Sequence, residues 1–257
     1  MKFNLSEIKL SRKDVKRGLK FPSEMNEKLA ELYGVMLGDG CLSSYFSNYA
    51  QKGIFCTLVT GHTHDEPYYS QVLRPILIIE FGVKGCIRFR KDCQVVRFET
   101  THKNVFNFIK LLGFPIGKKD YLEIPTSIIS NNNFSIACVR GIFDTDGSIY
   151  SRYSKKYHNH AKFYHYMVVQ FKMKSYDLIK QIKNILDTNN IKTTKIGTIK
   201  KLYFVVRVTD QESIHIFMKL IKPNNEYHVK RYSNFTNKGK NEPREIRTPD
   251  PLISLSC

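Results

Sequence analysis

The residues in this chain best placed to do chemistry are two acids that end two similar helical runs. Leu32-Tyr33-Gly34-Val35-Met36-Leu37-Gly38-Asp39-Gly40 closes one apolar run, and Val139-Arg140-Gly141-Ile142-Phe143-Asp144-Thr145-Asp146-Gly147 closes another. Asp39 and Asp146 are 107 residues apart (146 − 39), and the same offset maps Ala30, Gly34 and Gly38 onto Ala137, Gly141 and Thr145. Spaced i, i+4, i+8, these small residues share one helix face. Such a stripe lets two helix backbones approach closely. Packed through it, the two helices would deliver Asp39 and Asp146 side by side at a common C-terminal end. Adjacent carboxylates repel each other unless a cation sits between them, so the expected chemistry is that of a metal site. A single Asp-Gly after a helix reads as a plain C-cap turn. Two copies carrying matching stripes reverse that reading.

Around the acids, the periodicity predicts helix, two strands, helix, two strands, helix, and then the same order again. The first repeat reads as a helix capped by Ser23 with Asn26 or Glu27 close behind, then a hairpin of residues 41–50 and 54–60 turning near Gln51-Lys52-Gly53. A helix from Asp65-Glu66-Pro67 to about Phe81 follows, then strands 86–90 and 93–99, then a helix from His102 to Leu112. In the second repeat the spacing predicts helix 134–145, strands 148–156 and 162–172, helix 175–187, strands 194–199 and 202–209, and helix 211–221. Tyr203-Phe204-Val205-Val206-Arg207-Val208-Thr209 echoes Gln94-Val95-Val96-Arg97-Phe98-Glu99-Thr100, which marks an internal duplication. The expected organisation is a basic arm over 1–24, a repeat over 25–115, a linker over 116–133, a second repeat over 134–235 and a disordered tail over 236–257.

The two motifs also carry a resemblance. Gly34, Asp39 and Gly40, with Gly141, Asp144, Asp146 and Gly147, resemble the motif of the LAGLIDADG homing endonuclease family in its single-chain, two-motif form. The first copy departs by having Leu37 where the second has Asp144. That resemblance implies an α+β fold of two αββαββα halves related by a pseudo-twofold axis, with antiparallel sheets forming a saddle over DNA. It implies that Asp39 and Asp146 are the metal-binding carboxylates, supported by the backbone carbonyls of Gly38 and Thr145. It further implies a basic residue near each scissile phosphate. Lys119 in Gly117-Lys118-Lys119-Asp120 and Lys230 in His228-Val229-Lys230-Arg231 are the candidates for that catalytic role. Mg2+ suits such a site because it takes oxygen ligands and is completed by water and phosphate. Mn2+ is expected to substitute, and Ca2+ to support binding without cleavage. One acid per half predicts attack on each strand and a double-strand break.

Recognition would fall to the strands, whose outward faces alternate with period two. Ser43, Tyr45, Ser47 and Tyr49 share one face, and Tyr150, Arg152, Ser154 and Lys156 share its equivalent. Arg88, Arg90, Arg97, Lys172, Lys195 and Arg207 lie on the other strands, and Gln170 matches a strand residue that faces DNA in the family. A β-ribbon fits the major groove, where Arg reads guanine and Gln or Asn reads adenine. Unequal halves predict a long, asymmetric target.

Composition agrees with a polyanionic partner. Lys and Arg total 41 against 23 Asp and Glu, a formal charge of +18 over 257 residues. No apolar run reaches the roughly 18 residues of a membrane span. The six cysteines show no Cys-x-x-Cys spacing, and the start Met-Lys-Phe-Asn lacks a signal peptide's apolar centre. The expectation is an intracellular monomer, in a prokaryotic cytoplasm or an organelle, that is not secreted and acts on double-stranded DNA. His62 with His64, and His158 with His160, are read as structural or DNA-facing rather than as metal ligands. Two rivals stand beside the nuclease: an RNA maturase that binds its host intron RNA, and an inactive DNA-binding protein on the same scaffold.

Overall fold

The computed structural model describes residues 3–6, 8–119, 121–154 and 164–238. His158 and His160, Lys156 and the tail beyond residue 238 fall outside the described residues. A short helix α1 (Arg12–Lys16) precedes the first repeat, in which α2 (Glu27–Leu37) leads to β1 (Gly40–Ser47) and β2 (Lys52–His62). A helical stretch follows: a 3-10 turn (Thr63–Asp65), α3 (Glu66–Tyr68), a π turn (Tyr69–Leu73) and α4 (Arg74–Phe81). The repeat ends with β3 (Cys86–Phe89), β4 (Val95–Thr100) and α5 (Lys103–Leu111). After α6 (Thr126–Ile129), the second repeat comprises α7 (Asn132–Asp146), β5 (Gly147–Ser154), β6 (Tyr164–Met173), α8 (Tyr176–Thr188), β7 (Gly197–Ile199), β8 (Tyr203–Val208) and α9 (Gln211–Ile221). A last helix, α10 (Glu226–Lys238), closes the described chain.

Each repeat builds one antiparallel four-stranded sheet, ordered β1-β2-β4-β3 in the first and β5-β6-β8-β7 in the second. The registers repeat as well. Gly40 pairs with Val59 and Gly147 with Phe171, so each strand that follows a motif glycine starts against the far end of its partner. Between the repeats lie α2 and α7, packed against each other. Leu29, Ala30, Val35, Met36, Ala137, Cys138, Val139 and Ile142 in these helices are fully buried and belong to the hydrophobic core.

Local chemistry moved several boundaries. The first motif helix starts at Asn26 rather than Ser23, because the Asn26 side chain accepts from Leu29 N at 2.9 Å and donates to Glu80 Oε2 at 2.9 Å. In the second repeat, Asn131 accepts from Asn133 N and Phe134 N, which starts α7 two residues ahead of 134. The expected single helix over 65–81 is broken by a π turn just before Pro75, whose ring cannot continue the i→i−4 ladder. The periodicity predicts no helix where α10 lies. Its cue was the Glu226–Lys230 pair at i, i+4, with Asn225 Oδ1 accepting from Tyr227 N at 3.1 Å.

The basic arm lies on the first repeat. Ser11 and Asp14 form a capping box on α1, Leu19 is buried, and Phe3 meets Phe108 edge-on while Phe21 stacks on it, each with ring centroids 5.4 Å apart. Asn104 Nδ2 donates to Lys9 O and to Asp14 Oδ2, each at 3.1 Å. Burying these apolar rings outweighs the charge of the arm's lysines, which point to solvent.

Candidate functional site

The seam between α2 and α7 is as close as backbones allow. A Cβ placed on Gly34 would overlap the carbonyl of Cys138, and one on Gly141 would overlap Glu31 O and crowd Val35 N at 2.8 Å. One on Gly38 would strike Thr145 Oγ1 and come within 3.5 Å of Asp146 Cβ. These contacts are reciprocal, with Gly34 and Gly38 facing α7 and Gly141 facing α2. Thr145, where the first stripe has Gly38, turns its hydroxyl back onto Gly141 O (2.9 Å) and Ile142 O (3.2 Å).

At the shared end stand Asp39 and Asp146. Asp39 is half-buried and Asp146 keeps an open outer side, yet protein atoms crowd both carboxyl groups. Burial pushes the Asp39 carboxyl upward, and the neighbouring Asp146 pushes it further. Burial raises Asp146 too, while Lys119 and Lys172 pull it back. Lys119 reaches this pair from the linker. Gly117 N donates to Leu42 O at 2.9 Å, and Ile116 bridges to Leu42, so the linker runs along β1 only a few residues past Asp39. From there the Lys119 ammonium donates to the Gly38 carbonyl. Its own pKa is lowered, mainly by burial, against the pull of Asp146 and Asp39.

Two mutually repelling carboxyl groups beside one ammonium fit a hard divalent cation. Among the described residues no group of three or more His, Cys, Asp or Glu side chains could hold a metal alone. A cation on Asp39 and Asp146 would therefore complete its shell with water and substrate oxygens, which is the habit of Mg2+. The Gly38 carbonyl, expected as a further ligand, is instead engaged by Lys119.

Lys230 is not brought to the acids. It sits on α10, largely exposed, and pairs with Glu226 at 2.6 Å. Residues 226–238 are helical, whereas the chain over 113–119 turns at Gly113 and Gly117, both at positive φ, and bridges to β1 at Ile116. The neighbouring Arg231 turns inward, donating to Ile149 O at 3.1 Å and covering the Tyr227 ring at 4.4 Å. The second cation at the acids is Lys172 on β6, which the sequence placed only among DNA contacts.

Beneath the acids runs a polar network that links the repeats. Asp144 is 1% exposed and accepts from Asn224 N (2.8 Å) and Asn225 N (3.1 Å). Burial nevertheless raises its carboxyl to about 8. Glu31 on α2 accepts from Arg140 Nη1 at 3.1 Å and from Asn224 Nδ2 at 2.7 Å, while Arg140 Nε donates to Ile221 O at 2.6 Å. This explains the difference between the motifs. Leu37 meets apolar core, whereas Asp144 anchors the loop that leads into α10.

The sheet faces without helices carry most of the predicted recognition residues. In the second sheet Gln170 Oε1 accepts from Arg207 Nε at 2.7 Å and from Tyr150 OH at 3.1 Å, which gathers three of them across β5, β6 and β8. Arg152 stacks over Tyr150 at 5.5 Å, and Ser154 ends β5. In the first sheet Arg88 and Arg97 flank Glu99 at 2.7 and 3.9 Å. Ser43, Tyr45 and Ser47 lie on β1, but Tyr49 lies beyond the strand, in the turn. Arg90 follows β3 and Lys195 precedes β7, so both stand at strand ends rather than within strands. His62 and His64 stack on each other at 4.2 Å and bind Gln94 and Asp65, respectively.

Comparison with known proteins converges on this architecture. Residues 133–222 match the model of the LAGLIDADG-like domain. A search of curated proteins found no match. Among solved structures, a set of mesophilic variants of the homing endonuclease I-DmoI is 16% identical, with a TM-score of 0.54, and the match covers 76% of this chain and 95% of that one. I-DmoI in complex with DNA and Mn is 17% identical, with a TM-score of 0.53, over 76% of this chain and 96% of that one. A point variant of I-SmaMI is 13% identical, with a TM-score of 0.60, over 85% and 93%.

Proposed function

We propose that this protein is a divalent-metal-dependent, site-specific DNA endonuclease of the intron-homing type, a reading supported by the match of residues 133–222 to the LAGLIDADG-like domain and by the likeness in fold to I-DmoI and I-SmaMI over 76–85% of the chain. The observation that carries this reading is the meeting of Asp39 and Asp146 at one end of a glycine-tight seam, beside the Lys119 ammonium. When bound, a divalent cation supplies charge neutralisation on phosphate and an acidified water. Asp39 and Asp146 would hold it. Lys119, fixed by the Gly38 carbonyl, donates hydrogen bonds and positive charge where a cleaved phosphate gathers negative charge. Because each acid comes from a different repeat, the pair is suited to cutting both strands of one duplex, and one chain suffices.

The outward sheet faces hold the duplex. Arg152, Arg207 and Gln170 in the second sheet, and Arg88 and Arg97 in the first, offer groove contacts, while the excess of Lys and Arg steers the chain to phosphate. The faces are unlike, since Glu99 stands in β4 opposite Leu58 whereas Arg207 stands in β8 opposite Gln170. That supports an asymmetric target. The test is cleavage of plasmid carrying the intron-less host locus, with Mg2+, Mn2+, Ca2+ or chelator. Double-strand cutting with Mg2+ that is lost in Asp39→Asn and Asp146→Asn, while both variants still bind the site in Ca2+, is the expected result. Cutting that persists in both variants refutes the assignment.

A further inference from the structure

Besides the glycine seam, a set of hydrogen bonds joins the two repeats near the acids. Asp65, at the end of the 3-10 turn after β2, lies close to Asp39: Thr60 N donates to Asp39 O at 3.3 Å, and Asp65 Oδ2 would stand 2.7 Å from a Cβ on the adjoining Gly61. Its Oδ2 accepts from His62 N at 2.9 Å, which ties it to β2. Its Oδ1 accepts at 2.9 Å from Nδ2 of Asn225, a residue of the other repeat. The same Nδ2 also donates to the backbone oxygen of Asp144 at 2.9 Å, and Asn225 N donates to the Asp144 carboxylate at 3.1 Å. Asp144 is two residues from Asp146. One buried amide, 2% exposed, thus spans from the neighbourhood of one acid to the last turn that carries the other.

We propose that Asn225 is a positioning residue that fixes the separation of Asp39 and Asp146 by bridging Asp65 and Asp144 across the two repeats. The inference rests on the nuclease reading above. Neighbouring contacts share the load. The Tyr227 ring stacks on His64 at 4.1 Å, and Asn224 Nδ2 reaches Glu31 on α2 at 2.7 Å. Without the bridge, α2 and α7 still pack through their glycines, but their ends are free to rotate about that seam. Attack on the two strands, which needs both acids placed together, then loses its coordination.

Asn225→Ser tests this cleanly. A serine there still caps α10 and keeps the backbone N–H bonds to Asp144, but its hydroxyl cannot span to Asp65. The expected result is a rise of roughly tenfold in the ratio of nicked to linear plasmid, with a higher Mg2+ requirement and little change in site binding in Ca2+. A purely structural role would lower thermal stability without changing that ratio, and a wild-type ratio with a wild-type Mg2+ requirement overturns the proposal. Hydrogen exchange reads the bridge without activity. Amides at 36–39 and 144–147 should exchange on the order of tenfold faster in Asn225→Ser, with α5 and α8 unchanged. Unchanged exchange at both helix ends also overturns it. A wild-type protein that cuts no DNA would sink the nuclease reading, while the exchange result would still decide the bridge.

Discussion

Adding a single methyl group at Gly141 should disable cleavage without unfolding the chain. An alanine there places its Cβ inside the contact distance of Glu31 O and close to Val35 N, both backbone atoms that no rotamer change can move aside. Heavy atoms pack at about 3.5–4 Å, so α2 and α7 must separate by on the order of 1 Å. Overpacking of this kind costs about 1–3 kcal/mol, which a core this extensive can absorb. The same shift at the helix ends moves Asp39 and Asp146 apart, and a misplacement of about 1 Å costs on the order of 100-fold in rate. Gly141→Ala is therefore expected to melt a few degrees lower, to bind the target in Ca2+ nearly as well as wild type, and to cut about 100-fold more slowly. Single-turnover cleavage, alongside a thermal melt, reads both numbers. Gly53→Ala is the control, since its Cβ would meet only the Phe55 ring at 3.4 Å. Wild-type rates in a folded Gly141→Ala protein would refute the claim that the seam sets the distance between the acids.

The two lysines proposed from sequence should separate sharply. Lys119→Met is expected to lower single-turnover cleavage by about 100-fold, while Lys230→Met, on the exposed face of α10, leaves it within a factor of about two because surface ion pairs contribute little. His228 gives a pH signature in stability. Burial holds its imidazole down at about 4, with Arg231 and His64 opposing its charge, and its ring packs on Phe143 at 4.7 Å. Between about 6.5 and about 4 the unfolded chain binds a proton at this residue that the folded chain refuses, so the His228 contribution to stability falls with falling pH by about 3 kcal/mol, opposite in sign to that of the raised Asp39 and Asp144 carboxyls. The difference in urea unfolding between wild type and His228→Phe across this range should show that slope. An unchanged slope in the variant would assign the acid sensitivity elsewhere.

How far the sequence carried depended on whether a signal was local. The α+β repeats, the two sheets and the small-residue stripes were legible because helix and strand periods and the offset between Asp39 and Asp146 are written in adjacent residues. The meeting of those acids could be inferred because Gly34 and Gly141 have no other use at those positions than close approach. Much of the rest was decided in three dimensions. Lys119 reaches Gly38 because Ile116 and Gly117 pair with Leu42 on β1, a contact between segments far apart in the chain. Lys230 stands away from the acids because Glu226 and Asn225 start a helix where the first repeat has turns at Gly113 and Gly117. Nothing near Asp144 in the sequence names its partners, Asn224 and Asn225, which only folding brings to its carboxylate. A charged or amide side chain has no preferred partner until burial removes water as the alternative. Residue order thus determined which helices pack and which acids they carry, and only the folded chain decided which polar groups would surround those acids.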